Sequence, residues 1–554
     1  MRAPRFRTAI AVAAVAALAL TACAESERDD TPEQDDGQLV VGTAGEALAL
    51  DPTWASDGET FRVARQIYDT LVMLEPGSTN IVPGLAETYE ADEAGTTWTF
   101  NLRQGVTFHD GTPFNAEAVC YNFDRWYNQT GLGQGADVTY YWISIFNGFA
   151  NNERDGLSES LYTSCTAADE HTAVIELTRV SSKFPAALVL PAFAIHSPTA
   201  LQEHDADNLG GTEEDITYPP YALDNATGTG PFKFEPGSWD RSNQTIRLVR
   251  NDEYWGGAPT ISELIFRAIP DENARRQALI SGDIDGYDLP SAADFDSLRS
   301  EGMDLHIRDT LTLLYLAFTQ SANPELEKLE VRQAIAHALN RQAMVDARLP
   351  EGGEVASQFQ PPALPGWNAD VPQYDYDPDR ARELLAEADA EDLSVTFYYP
   401  TDVTRPYMPD PQAIAELFIA DLEAVGITVE QVALPWTPDY LNAVLNGEAD
   451  LHLLGWTADY PDAYNFIGTW FAREDPQWGY SFPELWQRMA EADAITDLEE
   501  RYAVYEELNN MIMEFLPGVP ISHSPSAIVF GPHVSGIEVS PLADERFNTA
   551  EVSE

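Results

Sequence analysis

The chain has 554 residues, enough at ~150 per domain for three or four compact units, or for two large ones with insertions. Hydrophobic residues make up 44 % of it, with 35 glycines and 37 prolines, a globular composition that excludes a fibrous or wholly unfolded chain. With 31 basic and 91 acidic residues the formal charge is −60. Such a surface repels phosphate backbones, so nucleic acid is not expected as a partner; solubility or salt tolerance is the plain reading of the acidity.

Residues 1–9 carry Arg2, Arg5 and Arg7, and residues 10–20 form an uninterrupted run of Ala, Val, Leu and Ile. This is the layout of a signal peptide, too short to span a bilayer stably. Leu20-Thr21-Ala22-Cys23 resembles the bacterial lipobox, in which Cys23 becomes the lipid-modified first residue of the mature protein; an ordinary secretory signal with a stray cysteine is the alternative. Two acyl chains give lasting attachment, so the expected location is the outer face of the cell membrane. Residues 24–38 are polar and acidic without apolar periodicity and read as a flexible tether.

Beyond Cys23 the cysteines are Cys120 and Cys165. In an exported protein such a pair is most simply a disulfide, and closing a loop of this length contributes about 4 kcal/mol at most. The nine histidines show neither an H-E-x-x-H nor a pair at i, i+4, so no metal site is expected. There is also no G-x-S-x-G, P-loop or G-x-G-x-x-G. No cofactor and no enzymatic activity are expected.

From residue 38 to about 249 short alternating strands, such as Trp98, Phe100 and Leu102 and the stretch 171–177, mix with helices. Phe61, Ala64, Tyr68 and Leu71 recur at helical spacing, and Asn115 with Glu117 marks a helix start. The segment 394–456 is more regular. It reads as a strand (394–399), a helix (411–425) ending at Gly426, and a strand (427–434). A helix capped and begun by Thr437-Pro438 and a strand (450–456) complete it. Alternation of this kind implies right-handed crossovers and a parallel sheet.

Ligands of open parallel sheets bind beyond the carboxyl ends of the strands, where loops 400–409 and 457–465 lie. With the strands in the order 2-1-3, the first and third are neighbours about 4.8 Å apart, and Arg405 and Asp459 come together at one sheet edge. Fixed charges of both signs, with Tyr407, Trp436 and Trp456 nearby, match a zwitterion, whose carboxylate a guanidinium grips bidentately. A plain surface ion pair beside core aromatics would give the same pattern.

Several stretches resemble one family in the expected order: VVGTAGEALALDP (40–52), IVPGLAETYEADEAGTTWTFNLRQGVTFHDGTPFNAE (81–117), GTGPFKFE (228–235), NDEYWGGAP (251–259), IPDENARRQALISGDID (269–285), LYLAFT (314–319), VRQAIAHALNRQAM (331–344) and LLGWTADYPD (453–462). Over essentially its whole mature length the chain resembles the extracellular solute-binding proteins of family 5, the peptide and nickel receptors of ABC importers. The resemblance implies an α/β, two-lobe fold of the type II periplasmic-binding-protein kind, with an additional subdomain and a hinge between lobes. The expected division is signal peptide 1–22, tether 23–38, first lobe 39–308 with the inserted subdomain, second lobe 309–518, and a return to the first lobe over 519–554. The chain is expected to cross between lobes near 306–314 and 516–523.

Within the family the likeness is to the dipeptide receptors. It implies that Arg405, in Arg405-Pro406-Tyr407, holds the peptide carboxylate, and that Asp459, in Trp456-Thr457-Ala458-Asp459, holds the ammonium. Trp436 falls on a pocket position, and Ser56 falls where the family has a hydroxyl from the first lobe. An extra residue between Trp436 and Tyr440, and Pro461 and Ala463-Tyr464 after Asp459, depart from the family pattern and bear on pocket width. Expected partners are a short peptide, the permease subunits of an importer and the membrane through the lipid anchor, the receptor acting as a monomer. Rival readings are a longer peptide, a nickel chelate or an oligosaccharide as ligand, and, from other classes, an adhesive surface protein or a hydrolase using Asp459 and Asp462 as acid and base.

Overall fold

The structure, a computed structural model, describes residues 37–213 and 215–553. The expected signal peptide, Cys23 and the tether up to residue 36 lie outside the described residues. The tether was expected to reach residue 38, but Gln38 already opens the strand Gln38–Thr43 and stands in register with Glu263. Among the described residues no helix is long and apolar enough to cross a membrane.

Two large sheets organise the chain. The first has seven strands in the spatial order Phe232–Asp240, Thr245–Arg250, Glu263–Ala268, Gln38–Thr43, Gly286–Asp288, Ala527–Phe530 and Asp304–Ile307. Gln38–Thr43 runs parallel to both of its neighbours. The second has six, in the order Glu354–Val355, Gly518–His523, Thr312–Phe318, Leu451–Thr457, Ser394–Pro400 and Thr428–Leu434. Thr312–Phe318 reads TLLYLAF and is buried at every residue, the continuous apolar run of a strand covered on both faces. The last three strands are mutually parallel, as the alternation of segment 394–456 implies, and the structure sets them in the order 2-1-3. Between Ser394–Pro400 and Thr428–Leu434 runs the helix Pro411–Ala424, whose Asp410 carboxylate accepts from Ala413 N at 3.1 Å.

A four-stranded antiparallel sheet, Ala86–Ala91, Thr97–Leu102, Thr172–Leu177 and Tyr162–Asp169, forms the additional subdomain. The helix Ala116–Tyr127 packs on it, started by Asn115, whose side chain accepts from Ala118 N at 2.9 Å. The Cys120–Cys165 disulfide, with Cα atoms 5.0 Å apart, ties that helix to the edge strand.

The helix Gly58–Ile67 is shorter than the spacing of Phe61, Ala64, Tyr68 and Leu71 predicts. Tyr68 is already extended (φ −121°, ψ 160°). Gly228 and Gly230 lie against the helix end so closely that a Cβ on either would collide with Ile67, and Gly230 N donates to Ile67 O at 2.9 Å. Tyr68 and Leu71 therefore reach the core from extended backbone. Just beyond, buried Asp69 accepts from Thr229 Oγ1 (3.0 Å), Tyr254 OH (3.2 Å), Trp255 Nε1 (2.8 Å) and Arg546 Nη1 (2.7 Å). One carboxylate thus explains why GTGPF, NDEYW and the C-terminal segment meet.

The chain passes between the two large sheets twice, after Ile307 and after His523, and the two passages are bonded together. Arg308 N donates to Ser526 O (2.8 Å), Thr312 Oγ1 to Ser524 O (2.7 Å), Ser524 N to Thr312 Oγ1 (3.0 Å) and His523 Nδ1 to Thr312 O (2.7 Å). The return lies later than the sequence reading has it. Gly518–His523, which contains the expected boundary at 518, stays in the second sheet because it keeps pairing with Thr312–Phe318 as far as Ser522. Only at Ala527 does the chain rejoin the first sheet.

Beside the passages Arg308 is fully buried, its guanidinium on Asp288 Oδ1 (2.6 Å) and Glu545 Oε1 (2.7 Å), while Arg62 takes the other oxygen of Asp288. Burial alone would push Asp288 up, but Arg308 and Arg62 hold it well below the usual carboxylate range. A carboxyl whose folded value lies below its unfolded one contributes stability above the ordinary pKa of ~4 and loses it as pH falls. Replacing Arg308 by Met leaves two buried carboxylates short of a partner, and urea unfolding at pH 7 should show a loss of about 3–5 kcal/mol. A loss below ~1 kcal/mol would remove this cluster as the anchor of the passages.

Candidate functional site

The carboxyl ends of the three parallel strands open into one group of loops. Ser394–Pro400 leads into the loop carrying Arg405, its neighbour Leu451–Thr457 into the loop carrying Asp459, and Thr428–Leu434 into Trp436. Thr457, placed in the loop by the sequence reading, still pairs with Thr312 as the last residue of its strand, and Ala458 N donates to Leu311 O at 2.9 Å.

Arg405 sits on a closed turn: its N donates to Met408 O (3.1 Å) and Met408 N returns the bond to Arg405 O (2.9 Å), with Pro406 fixing φ between them. Tyr407 is buried beneath it, its ring on Gly455, where any Cβ would collide with the ring. Burial pushes the Tyr407 hydroxyl up to about 12. The guanidinium carbon of Arg405 lies 4.7 Å from the centre of the Trp436 ring. No side chain among the described residues pairs with it, and its Nε is buried without a hydrogen-bond acceptor. Trp436 is held in turn by Tyr440, ring centroids 5.8 Å apart and nearly parallel, and by Asp402 Oδ1, which accepts from its backbone N at 2.6 Å. Thr437 itself is extended and provides no side-chain cap to the helix that follows.

Asp459 is half-buried and held by neutral donors alone. Tyr141 OH donates to Oδ1 at 2.8 Å and Asn465 Nδ2 to Oδ2 at 3.1 Å, while Asn465 Oδ1 accepts from Asp459 N (2.8 Å) and from Trp456 Nε1 (3.3 Å). Burial pushes the carboxyl up to about 6, opposed by those two hydrogen bonds and, more distantly, by the charge of Arg65. Arg405 and Asp459 thus end adjacent strands without pairing with each other.

Sequence reasoning missed Tyr141 and Asn465. Tyr141 belongs to the helix Tyr140–Phe146 of the first lobe and lies 318 residues from Asp459. Asn465 closed the loop as read from sequence and signals itself only as an amide six residues past a carboxylate. Ser56, exposed ahead of the helix Gly58–Ile67, has no hydrogen-bond partner for its hydroxyl among the described residues. Asp462 is a correction: it is buried in a two-pronged pair with Arg501 (2.7 and 2.8 Å), so the acid–base arrangement with Asp459 loses one of its members.

Residues 80–478 match the family described as bacterial extracellular solute-binding proteins, family 5. The chain belongs to that family. The dipeptide-binding protein of Escherichia coli (strain K12) is 30 % identical over 530 residues, spanning 93 % of this chain and 94 % of that one. Heme-binding protein A of Haemophilus influenzae is 28 % identical over 553 residues, 96 % of this chain and 97 % of that one. Among solved structures, the dipeptide-binding protein of Pseudoalteromonas sp. SM9913 in complex with Met-Leu superposes with a TM-score of 0.76 at 25 % identity, covering 93 % of this chain and all (100 %) of that one. The two large sheets are thus the two lobes of a periplasmic-binding-protein fold.

The Tyr141 hydroxyl bonds the ionised form of Asp459, so its removal disfavours ionisation. In Tyr141→Phe the Asp459 carboxyl, followed by carbon NMR against pH, should titrate above its value of about 6. An unmoved midpoint would mean that the bond across the lobes is not formed in solution.

Proposed function

We propose that the protein is the receptor of an ABC importer, held by a lipidated Cys23 at the outer face of the membrane, and that it captures short peptides, dipeptides foremost, between its lobes. Arg405 takes the peptide carboxylate and Asp459 the ammonium. One observation carries this reading: a guanidinium without an anionic partner and a carboxylate without a cationic one end two neighbouring strands. A zwitterion supplies both missing charges. Burying both ends is favourable only if each is paired, since an unpaired buried charge costs several kcal/mol.

The remaining residues fit supporting roles. Tyr407 and Pro406 fix the Arg405 turn, Trp436 and Trp456 wall the site without a charge preference, Thr457 and Ala458 carry the strand into Asp459, and Ser56 offers a hydroxyl from the first lobe. Closure is a rotation about the passages at 308–312 and 523–527, which sets the first lobe as residues 39 to about 308 with the return from about 525. Permease subunits are the partners and the receptor acts as a monomer. The reading needs no chemistry, and the pairing of Asp462 with Arg501 disfavours the hydrolase. Relatives named for dipeptides, and the neighbour holding Met-Leu, support a peptide over a sugar or a nickel chelate.

Calorimetry on residues 37–554 tests it. A mixed dipeptide should bind, and its N-acetyl and C-amide forms should bind at least ~100-fold more weakly, as should the free dipeptide to Arg405→Ala or Asp459→Ala. Full affinity in either variant refutes the two-charge clamp. Binding of heme with no peptide response would move the solute to the class named by the second relative.

The pH dependence has a definite sign. With Tyr141 bonded to it and no ligand present, Asp459 titrates at about 6, and only its ionised form pairs with an ammonium, so affinity is full above that value and falls as pH drops through it. Between pH 7 and pH 5 dipeptide binding should weaken about tenfold. A flat profile would mean that the ammonium is held elsewhere.

A further inference from the structure

Besides the bond from Tyr141 to Asp459, the lobes meet just past the subdomain strand Thr172–Leu177. Ser181 Oγ donates to both oxygens of Asp493 (3.1 and 3.2 Å), and Ser182 N donates to the Asp493 carbonyl (2.9 Å). The nitrogen of Lys183 lies 3.6 Å from the centre of the Tyr464 ring. The turn ahead of the strand Thr97–Leu102 packs here as well: Gly95, at φ +70°, stands where a Cβ would come within 3.1 Å of Thr496 Cγ2. Residues 95 and 181–183 come from the first lobe, and 464, 493 and 496 from the second. Among the described residues none of these side chains bonds to Arg405 or Asp459.

Asp493 gains little within its own lobe. It is the last residue of the helix Pro483–Asp493, where the partial negative charge of the helix end disfavours a carboxylate. Among the described residues it forms no ion pair, and the hydrogen bonds its carboxylate accepts come from Ser181 and, at 3.5 Å, from Ser182 Oγ. The carbonyls of a last helical turn lack partners inside the helix, and that of Asp493 is met by Ser182 N from the other lobe. Both polar groups of a residue that is unfavourably placed in its own helix are thus satisfied across the lobes. Ser181 is buried in the contact, 1 % exposed.

We infer that Ser181, Ser182 and Asp493 form a latch that holds the lobes closed whatever solute lies between them. The inference rests on the proposed closure of the lobes and not on the solute being a peptide. The latch is made each time the lobes close, so it raises the closed population of the empty receptor. Every solute that binds the closed form then gains the same factor in affinity. A contact of this kind strengthens capture without choosing among ligands, and leaves that choice to the groups that touch the solute.

The test combines electron paramagnetic resonance distance measurement with calorimetry on the full-length chain in detergent. Spin labels are placed at two exposed positions, Glu90→Cys in the subdomain and Glu484→Cys at the start of the helix that ends in Asp493. Without solute, Ser181→Ala and Asp493→Asn should each shift the label separation to longer distances, and saturating dipeptide should bring every variant to the same short distance. Affinity for Ala-Ala, Phe-Ala and Ala-Phe should fall by one common factor of at least ~5 in either variant. The double variant should lose no more than the larger single loss. An unchanged solute-free separation or an unchanged affinity overturns the inference, as do losses that add in the double variant. Losses that differ between peptides by more than about threefold overturn it too, since they would put these residues against the solute. If no peptide binds, the peptide reading falls on its own; a lengthened solute-free separation then still upholds the latch, and an unchanged one overturns it.

Discussion

A charge removed from water needs a counter-charge, and this fold is arranged around that constraint. Arg308 pairs with Asp288 and Glu545, Arg125 with Asp51 and Asp207, Arg501 with Asp462 and Arg546 with Asp69, while buried Arg275, Arg332 and Arg341 donate to backbone carbonyls instead. Against that background the unmatched groups become informative. Arg405 and Asp459 end adjacent strands without pairing with each other. On the proposed reading a bound zwitterion supplies the counter-charge to both.

The same constraint holds the parts of the first lobe together. Asp544, Glu545 and Arg546 are consecutive, yet each enters a different cluster: Asp544 pairs with Arg65, Glu545 with Arg308 at the passage, and Arg546 with Asp69 behind the helix Gly58–Ile67. The C-terminal segment therefore locks the first lobe's leading helix to the point where the chain leaves that lobe. On the proposed reading the short bonded passages take up the rotation, since the charge clusters lie on the first-lobe side of them.

How much of this is legible in sequence follows from what determines each feature. The parallel unit 394–457 is legible because its helices and strands are set by local spacing and ended by Gly426 and Gly447, both at positive φ. With strand order 2-1-3, Arg405 and Asp459 follow from it. The return passage is not legible, because GVPISH (518–523) and AIVF (527–530) are both short strands buried at every residue; their pairing partners separate them. The end of the helix Gly58–Ile67 is set by two glycines more than 150 residues away, and Tyr141 reaches Asp459 across 318 residues. Contacts between lobes leave no local pattern, so Tyr141 at Asp459 is invisible in the sequence while the surroundings of Arg405, built from one contiguous unit, are not.

That division has a mechanistic consequence on the proposed reading. Everything that prepares Arg405 belongs to the second lobe: the Met408 turn, the Tyr407 ring on Gly455, and Trp436 set by Asp402. Its charge is permanent, so a peptide carboxylate can dock while the cleft is open. Asp459 differs on both counts. Its charge depends on its surroundings, burial opposing ionisation and hydrogen bonds favouring it, and one of those bonds comes from Tyr141 on the first lobe. Closure brings that donor up to the carboxylate and excludes water around it. The arriving ammonium then stabilises the ionised form at the point where closure makes an unpaired charge most costly. Docking is thus assigned to the end built within one lobe, and commitment to the end that both lobes complete, so a ligand with a carboxylate and no ammonium could enter but would not hold the lobes together.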